Sequence, residues 1–189
     1  MMDHIYQNQN FEEDWFTYPK LYSKMVNRFP SGSVFVEIGS WKGKSSAFMA
    51  VEIINSDKDI EFFCVDTWKG SEEHSDYQKD RLFEKFLKNI EPVSYYIKPL
   101  RMTSLQAANI FKDQSVDFCF IDAAHDYENV KNDILAWLPK VKSGGTIGGH
   151  DYHANGQYWP GVTKAVHECI PRNKLQNEGD WWWYDVQRN

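Results

Sequence analysis

The chain is poor in everything that would cross-link it or anchor it. Three cysteines, Cys64, Cys119 and Cys169, are spread through 189 residues with no CxxC pair. That spacing argues against a disulfide framework or a cysteine zinc site and implies reduced, buried thiols. No apolar run approaches the ~20 residues of a membrane helix. The first residues, MMDHIYQNQNFEEDW, have neither a cationic start nor an apolar stretch, so no secretory signal is expected. Basic clusters are missing as well. The formal charge is −6, and no Lys/Arg patch supplies the footprint that nucleic acid or an acidic membrane would need. The expectation is a soluble, cytoplasmic protein with neither of those partners; its oligomeric state stays open, a homo-oligomer included.

Two familiar phosphate-binding signatures are also absent. There is no GxGxxG and no GxxxxGK[ST], so neither a dinucleotide fingerprint nor a P-loop is present. What remains is ordinary globular composition, with 42% apolar and 25% charged residues and no sign of disorder. The length fits one domain over 1–189, a helical extension over 1–30 followed by a core over 31–189.

Apolar periodicity predicts an alternation of strands and helices. Residues 1–14 are polar and read as frayed or loosely docked. Leu21, Tyr22, Met25, Val26 and Phe29 recur at helical spacing, and Pro30-Ser-Gly closes that helix. Strands follow at Val34–Ile38, Glu61–Asp66, Ser94–Leu100, Val116–Ile121, Thr146–Gly149 and Trp181–Val186. Helices fall at Lys44–Asn55, Leu82–Ile90 (stopped by Pro92), Thr103–Phe111, Val130–Val141 and Val162–Ile170. Thr67–Asp80 is a polar loop, and its Glu72, Glu73 and Asp76 read as a solvated lid. The pattern implies an α/β fold, a doubly wound, mostly parallel sheet with helices on both faces.

Four of the strands stop at an acid: Glu37 in VEIG, Asp66 in FCVD, Asp122 in FCFIDAAHDY and Asp151 in GGHDY. Ligands bind at the carboxyl ends of parallel strands, and carboxylates there add nothing to a core. Glu37-Ile-Gly39-Ser40-Trp41-Lys42-Gly43 joins a strand to a helix. Its glycines let the backbone turn tightly and approach a ligand, and the helix N-terminus offers free N–H groups to an anion. Asp66, at the end of the next strand, is placed to accept hydrogen bonds from ribose hydroxyls. Each feature has a plainer reading as well, a structural turn for the glycines and a turn cap for the acid.

Taken in order, VEIGSWKGKSS, FCVDTW, FIDAAHDYENVKNDI and KSGGTIGGHDY resemble the class I S-adenosylmethionine-dependent methyltransferases with their Rossmann-like fold. Within them they resemble the small O-methyltransferases that include the macrolide-sugar enzymes. The resemblance covers roughly residues 33–170. It implies S-adenosylmethionine as cofactor, with Glu37, Gly39, Ser40 and Gly43 around the methionine part, Asp66 on the ribose and Ser104 near the adenine. Asp122 would complete the cofactor site. The implied reaction moves a methyl group to a hydroxyl of a small-molecule acceptor, a sugar or sugar-containing metabolite.

An alcohol is a weak nucleophile at neutral pH and needs a base or a metal. The DxxH element Asp122-Ala-Ala-His125 offers both, with His125 placed to take the proton and His150 the other candidate base. In the resembling enzymes the cation is Mg2+, held by this element and an acidic dyad on the following strand. Here the dyad is His150-Asp151. Mg2+ prefers oxygen ligands, so Asp122, Asp151 and His150 leave three options: Mg2+ on the two acids, another divalent cation that accepts imidazole, or no metal. Asp126 reads as a helix N-cap with Asn129 in the first turn. Trp41, Trp68, Tyr152, Tyr158 and Trp159 are placed to line an acceptor pocket, whereas Trp181–Tyr184 reads as packing on both faces of a strand. Two rivals are a non-catalytic nucleotide-binding protein of the same fold and a metal-dependent oxygenase built on the histidines and acids.

Overall fold

The apolar runs that end in acids form the middle of a seven-stranded sheet. The computed structural model describes residues 1–7, 11, 15–70 and 81–188. Its strands are β1 (Ser33–Ile38), β2 (Ile60–Asp66), β3 (Lys98–Arg101), β4 (Val116–Ile121), β5 (Val141–Gly149), β6 (Gln176–Glu178) and β7 (Trp181–Asp185). They lie in the order β3-β2-β1-β4-β5-β7-β6. β1 to β5 are parallel, and β7 runs antiparallel to both of its neighbours. Strand order reverses between β1 and β4, the point at which an open α/β sheet forms a crevice.

Helices cover both faces: α1 (Pro19–Arg28), α2 (Lys44–Ser56), α3 (Leu82–Ile90), α4 (Ser104–Ala108), α5 (Tyr127–Trp137) and α6 (Pro160–Cys169). Alternation along the strands divides the core in two. Phe35, Phe62, Phe118, Phe120, Trp181 and Trp183 pack with α1, α2 and α3. Val36, Val65, Cys119, Ile121, Ile147, Trp182 and Tyr184 pack with α5 and α6. The tryptophan run therefore fills both faces, as its spacing predicts. Cys64 and Cys119 are buried thiols, whereas Cys169 is half-buried.

The structure moves several of the expected boundaries. The strand expected at Ser94–Leu100 shrinks to β3, because Pro92 opens a 3-10 turn over Glu91–Tyr96 instead of halting the chain; proline is tolerated in a first turn. β5 begins at Val141, so the Ser143-Gly144-Gly145 stretch lies inside a strand whose register shifts between Val116 and Phe118. β6 is a short polar edge, exposed throughout, and it carries no apolar signal. The described amino-terminal residues are docked. Met2 and Asn55 exchange hydrogen bonds of 2.6 and 2.9 Å, the His4 ring stacks on Phe48, and Phe11 is buried. The acids expected to form a lid, Glu72, Glu73 and Asp76, lie outside the described residues. No helix among the described residues is long and apolar enough to cross a membrane.

Candidate active site

Parallel strands deliver their last residues to one edge, and here the ladder runs one step beyond the strands. Gly39 N–H donates to Val65 O at 2.8 Å, Asp122 N–H to Ile38 O at 2.8 Å, and His150 N–H to Ile121 O at 3.1 Å. Gly39, Asp122 and His150 are thereby held side by side. Gly39 has φ +87°, and a Cβ there would stand 1.9 Å from the Asp122 carbonyl oxygen, so only glycine fits. A cavity of about 710 Å3 opens over this edge, lined by Gly39, Ser40, Asp66, Ser104, Asp122, His125, His150 and Asp151, among others. That volume lies within the ~300–1,000 Å3 usual for small-molecule sites.

On one side of the cavity, Asp66 accepts from Trp41 N–H at 2.9 Å and from Trp68 N–H at 2.7 Å. Burial raises its pKa against the pull of these backbone donors. The buried Ser40 hydroxyl faces the Glu37 carboxyl and helps to lower its pKa. A glycine cradle beside a strand-end acid fits a nucleoside ligand. Ser104 lines the cavity too, but its hydroxyl accepts from Trp137 Nε1–H at 2.9 Å.

Two residues expected in this half do not line the cavity. Glu37 lies on the same face of β1 as Phe35, where it accepts from Tyr22 Oη at 2.9 Å and from Ser46 Oγ. Burial raises its pKa, and its contacts tie α1 and α2 to the sheet. Gly43 caps α2 at φ +86°, and a Cβ there would press on Ile90 and Phe86, so it serves helix packing.

The histidines occupy the other side. His125 Nε2 lies 2.9 Å from Asp151 Oδ2, and its ring stacks on Trp159 at 4.2 Å between centroids. Asp126 does cap α5, accepting from Asn129 N–H at 3.0 Å. His150 Nδ1 lies 3.4 Å from Asp122 Oδ1 and 3.1 Å from Asp151 Oδ2, while Nε2 lies 3.2 Å from Asp180 Oδ2. Burial alone would depress the His150 pKa; the Asp122 charge and hydrogen bonds to all three acids override it and push it up to about 12. Burial works against ionisation of Asp151, yet the two histidines hold its carboxyl well below the usual range. Asp151 also has φ +56°, a left-handed conformation costly for a non-glycine residue and frequent at functional sites.

Three residues of this cluster were not singled out from the sequence. Tyr18 Oη donates to Asp122 Oδ2 at 2.7 Å. Thr17 Oγ1 donates to Asp180 Oδ1 at 2.7 Å and lies 2.9 Å from His150 Nε2. Asp180 follows the β6–β7 turn, directly before the tryptophan run. Nothing local in the sequence distinguishes them: Tyr18 and Thr17 reach partners more than a hundred positions away, and Asp180 meets His150 across a helix and a strand. Of the five aromatics expected around the acceptor, Trp41 and Trp159 line the cavity, joined by Trp15 and Phe16. Trp68 and Tyr152 are core residues, and Tyr158 lies outside the lining.

Asp122, His125 and Asp151 each present one ligand atom within 4.8 Å of the others, close enough to hold a cation. His150, expected among the ligands, is not in this group among the described residues. An imidazole donor suits a transition metal better than Mg2+.

A family model described as a methyltransferase domain matches residues 36–152. The chain belongs to this methyltransferase family. Its sheet is the Rossmann-like fold of these proteins. An uncharacterised protein of Sinorhizobium fredii, y4gI, is 30% identical over 130 residues, 66% of this chain; the chain spans only 14% of that protein's length. Among solved structures, the O-methyltransferase NovP superposes with a TM-score of 0.63 at 17% identity, over 90% of this chain and 79% of NovP. Cofactor-bound Rv0187 from MTB gives 0.66 at 13% identity, over 94% and 83%. SMU.1697c from Streptococcus mutans, in complex with SAH, gives 0.61 at 8% identity, over 87% and 94%.

Proposed function

We propose that this methyltransferase transfers the methyl group of S-adenosylmethionine to a hydroxyl of a small acceptor of the sugar or sugar-containing class, with His125 as general base. The observation that carries the reading is the bond between His125 and Asp151 at the cavity wall opposite Asp66. With Nε2–H donating to the carboxylate, the lone pair of the ring sits on Nδ1, and the imidazole is oriented by Asp151 and by Trp159. Trp41, Trp159 and Trp15 supply flat apolar faces of the kind that sugar rings and aromatic acceptors pack against.

Gly39, Ser40 and Asp66 would hold the methionine and ribose parts of the cofactor, with Ser104 near the base. As the acceptor oxygen attacks the methyl carbon, the C–O bond forms and the S–CH3 bond breaks. The electron pair of that bond returns to sulfur, leaving neutral S-adenosylhomocysteine, and the hydroxyl proton passes to His125. Alignment of oxygen, carbon and sulfur supplies much of the rate, and the base adds roughly 10²–10⁴-fold. The likeness to NovP, an O-methyltransferase by name, and to SAH- and cofactor-bound structures supports the reading.

The test is twofold. Calorimetry should show S-adenosylhomocysteine binding to wild type and to His125→Ala alike. Product mass spectrometry across a panel of hydroxylated acceptors should show methylation by wild type, cut in His125→Ala by roughly 10²-fold or more. Equal turnover by the two proteins would remove His125 from the chemistry, and methylation confined to amines would remove oxygen as the acceptor atom.

A further inference from the structure

A second cavity, of about 370 Å3, opens between residues 154–156 and the flank of α6, where Lys164, His167, Glu168 and Arg172 line it. It adjoins the segment that carries Trp159. Trp159 lines the catalytic cavity, and Pro160, the next residue, lines this one.

The charge here runs against that of the chain. The protein carries a formal −6, yet three basic side chains gather around this cavity with one acid. That acid is already engaged. Glu168 Oε2 accepts from Tyr127 Oη at 2.6 Å and from Lys131 Nζ at 3.0 Å. Lys164 lies over the Tyr127 ring at 3.9 Å and senses Glu168 only at longer range. Among the described residues, neither Lys164 nor Arg172 forms an ion pair. Burial, and then the Arg172 charge, push the His167 pKa down, which places the guanidinium near a neutral ring. His167 Nε2 lies 2.9 Å from Tyr152 Oη, leaving Nδ1 for another partner.

Two unmatched cations around one cavity favour an anion inside it. A guanidinium grips oxyanions through two parallel N–H bonds, whereas an ammonium acts as a point charge with rotatable donors. Phosphate has oxygens enough to meet both and the imidazole as well; a carboxylate has two.

We propose that this cavity is a second ligand site, for a phosphate group held by Arg172 and Lys164 with the His167 ring at its wall. Phosphate bound there fills the gap between residues 154–156 and α6, next to the segment that carries Trp159. Two sources present the same group: free inorganic phosphate, and a phosphate ester on the acceptor. The site goes beyond the methyltransferase reading, and binding at it does not depend on that reading.

Sodium phosphate is titrated into the full chain against sodium chloride at matched ionic strength, with melting temperature and calorimetric heat followed. A ligand of the folded state raises the melting temperature by mass action. Wild type is expected to show a saturable rise with phosphate that chloride does not produce. Lys164 and Arg172 are exposed and lie outside the catalytic cavity, so their variants should fold and bind S-adenosylhomocysteine as wild type does. Lys164→Ala and Arg172→Ala should each weaken phosphate by roughly tenfold, the size of one charge-assisted hydrogen bond. Arg172→Lys, which keeps the charge and loses the fork, should fall between. Equal responses to phosphate and chloride would leave only ionic screening and overturn the proposal. A phosphate response that survives in the Lys164→Ala, Arg172→Ala double variant overturns it too, because the ion then binds elsewhere. Hexose monophosphates separate the two sources. Tighter binding of an ester than of inorganic phosphate, with the gain lost in Trp159→Ala, assigns the site to the acceptor; equal or weaker binding assigns it to the free ion. Failure of wild type to bind S-adenosylhomocysteine would sink the methyltransferase reading alone and leave the phosphate result standing.

Discussion

The Tyr18 phenol donates to the Asp122 carboxylate at 2.7 Å across 104 positions of sequence, so a residue ahead of the first strand finishes a site built at the end of the fourth. Burial and the nearby Asp122 charge raise the Tyr18 pKa well above its ordinary value, and the hydroxyl stays a donor. Tyr18→Phe deletes only that oxygen. A lost hydrogen bond to a buried charge costs about 1.5–3 kcal/mol, and urea unfolding should register a loss of that size. S-adenosylhomocysteine affinity should stay near wild type, because Asp66 and the Gly39 turn are untouched. An unchanged unfolding midpoint would show that the bond contributes nothing.

Asp66→Ala should abolish the nucleoside site. The carboxylate clamps the Trp41 and Trp68 amides as well as facing the cavity, so the variant loses both ligand contacts and loop order. Calorimetric affinity for S-adenosylhomocysteine should fall at least tenfold, equivalent to about 1.4 kcal/mol. Retained affinity would place the ribose elsewhere.

Gly39→Ala tests the closest backbone approach in the site. The added Cβ would meet the Asp122 carbonyl carbon and oxygen and the Ala123 Cα, all within 2.8 Å, and backbone atoms cannot swing aside as a side chain can. Combined with a left-handed φ, the cost should exceed about 3 kcal/mol. The variant should melt far below wild type or fail to fold. A Gly43→Ala control meets only side chains and should be milder.

Asp133 gives a pH dependence with a definite sign. It is buried in α5, and burial pushes its carboxyl up to about 6. A group whose folded pKa exceeds its unfolded value favours folding below the unfolded value, and that support is lost as pH rises through the folded one. Wild type should therefore lose stability, relative to Asp133→Asn, between roughly pH 4 and pH 6. The rise from the ordinary carboxylate value to about 6 corresponds to about 3 kcal/mol by pH 7. Denaturant unfolding of both proteins at several pH values measures the difference; a difference independent of pH would refute it.

The strands were legible because β1, β2 and β4 are rich in β-branched and aromatic residues, with an acid at or beside each carboxyl end. The parallel order then follows, and with it the convergence of Gly39, Asp66, Asp122 and Asp151 on one edge. Glu37 was readable in principle: two positions after Phe35, it shares that residue's face. β6 was not, because Gln176, Asn177 and Glu178 pair as a strand only through Trp181–Trp183. Thr17 and Asp180 are hydrogen-bonded across 163 positions, and no local pattern reports such a distance. For the same reason the sequence names His150 as an ionisable group but not the three acids around it, and those neighbours determine its charge.

The Thr17–His150–Asp180 clasp joins two flanks that lie outside residues 36–152, the stretch matched to the methyltransferase family. Gly39, Asp66, Asp122, His125, His150 and Asp151 all fall inside that stretch, and only the anchors Thr17, Tyr18 and Asp180 fall around it. A transplant of the matched stretch alone would carry those six residues into a new host without the hydrogen bonds that hold Asp122 and His150 from the flanks.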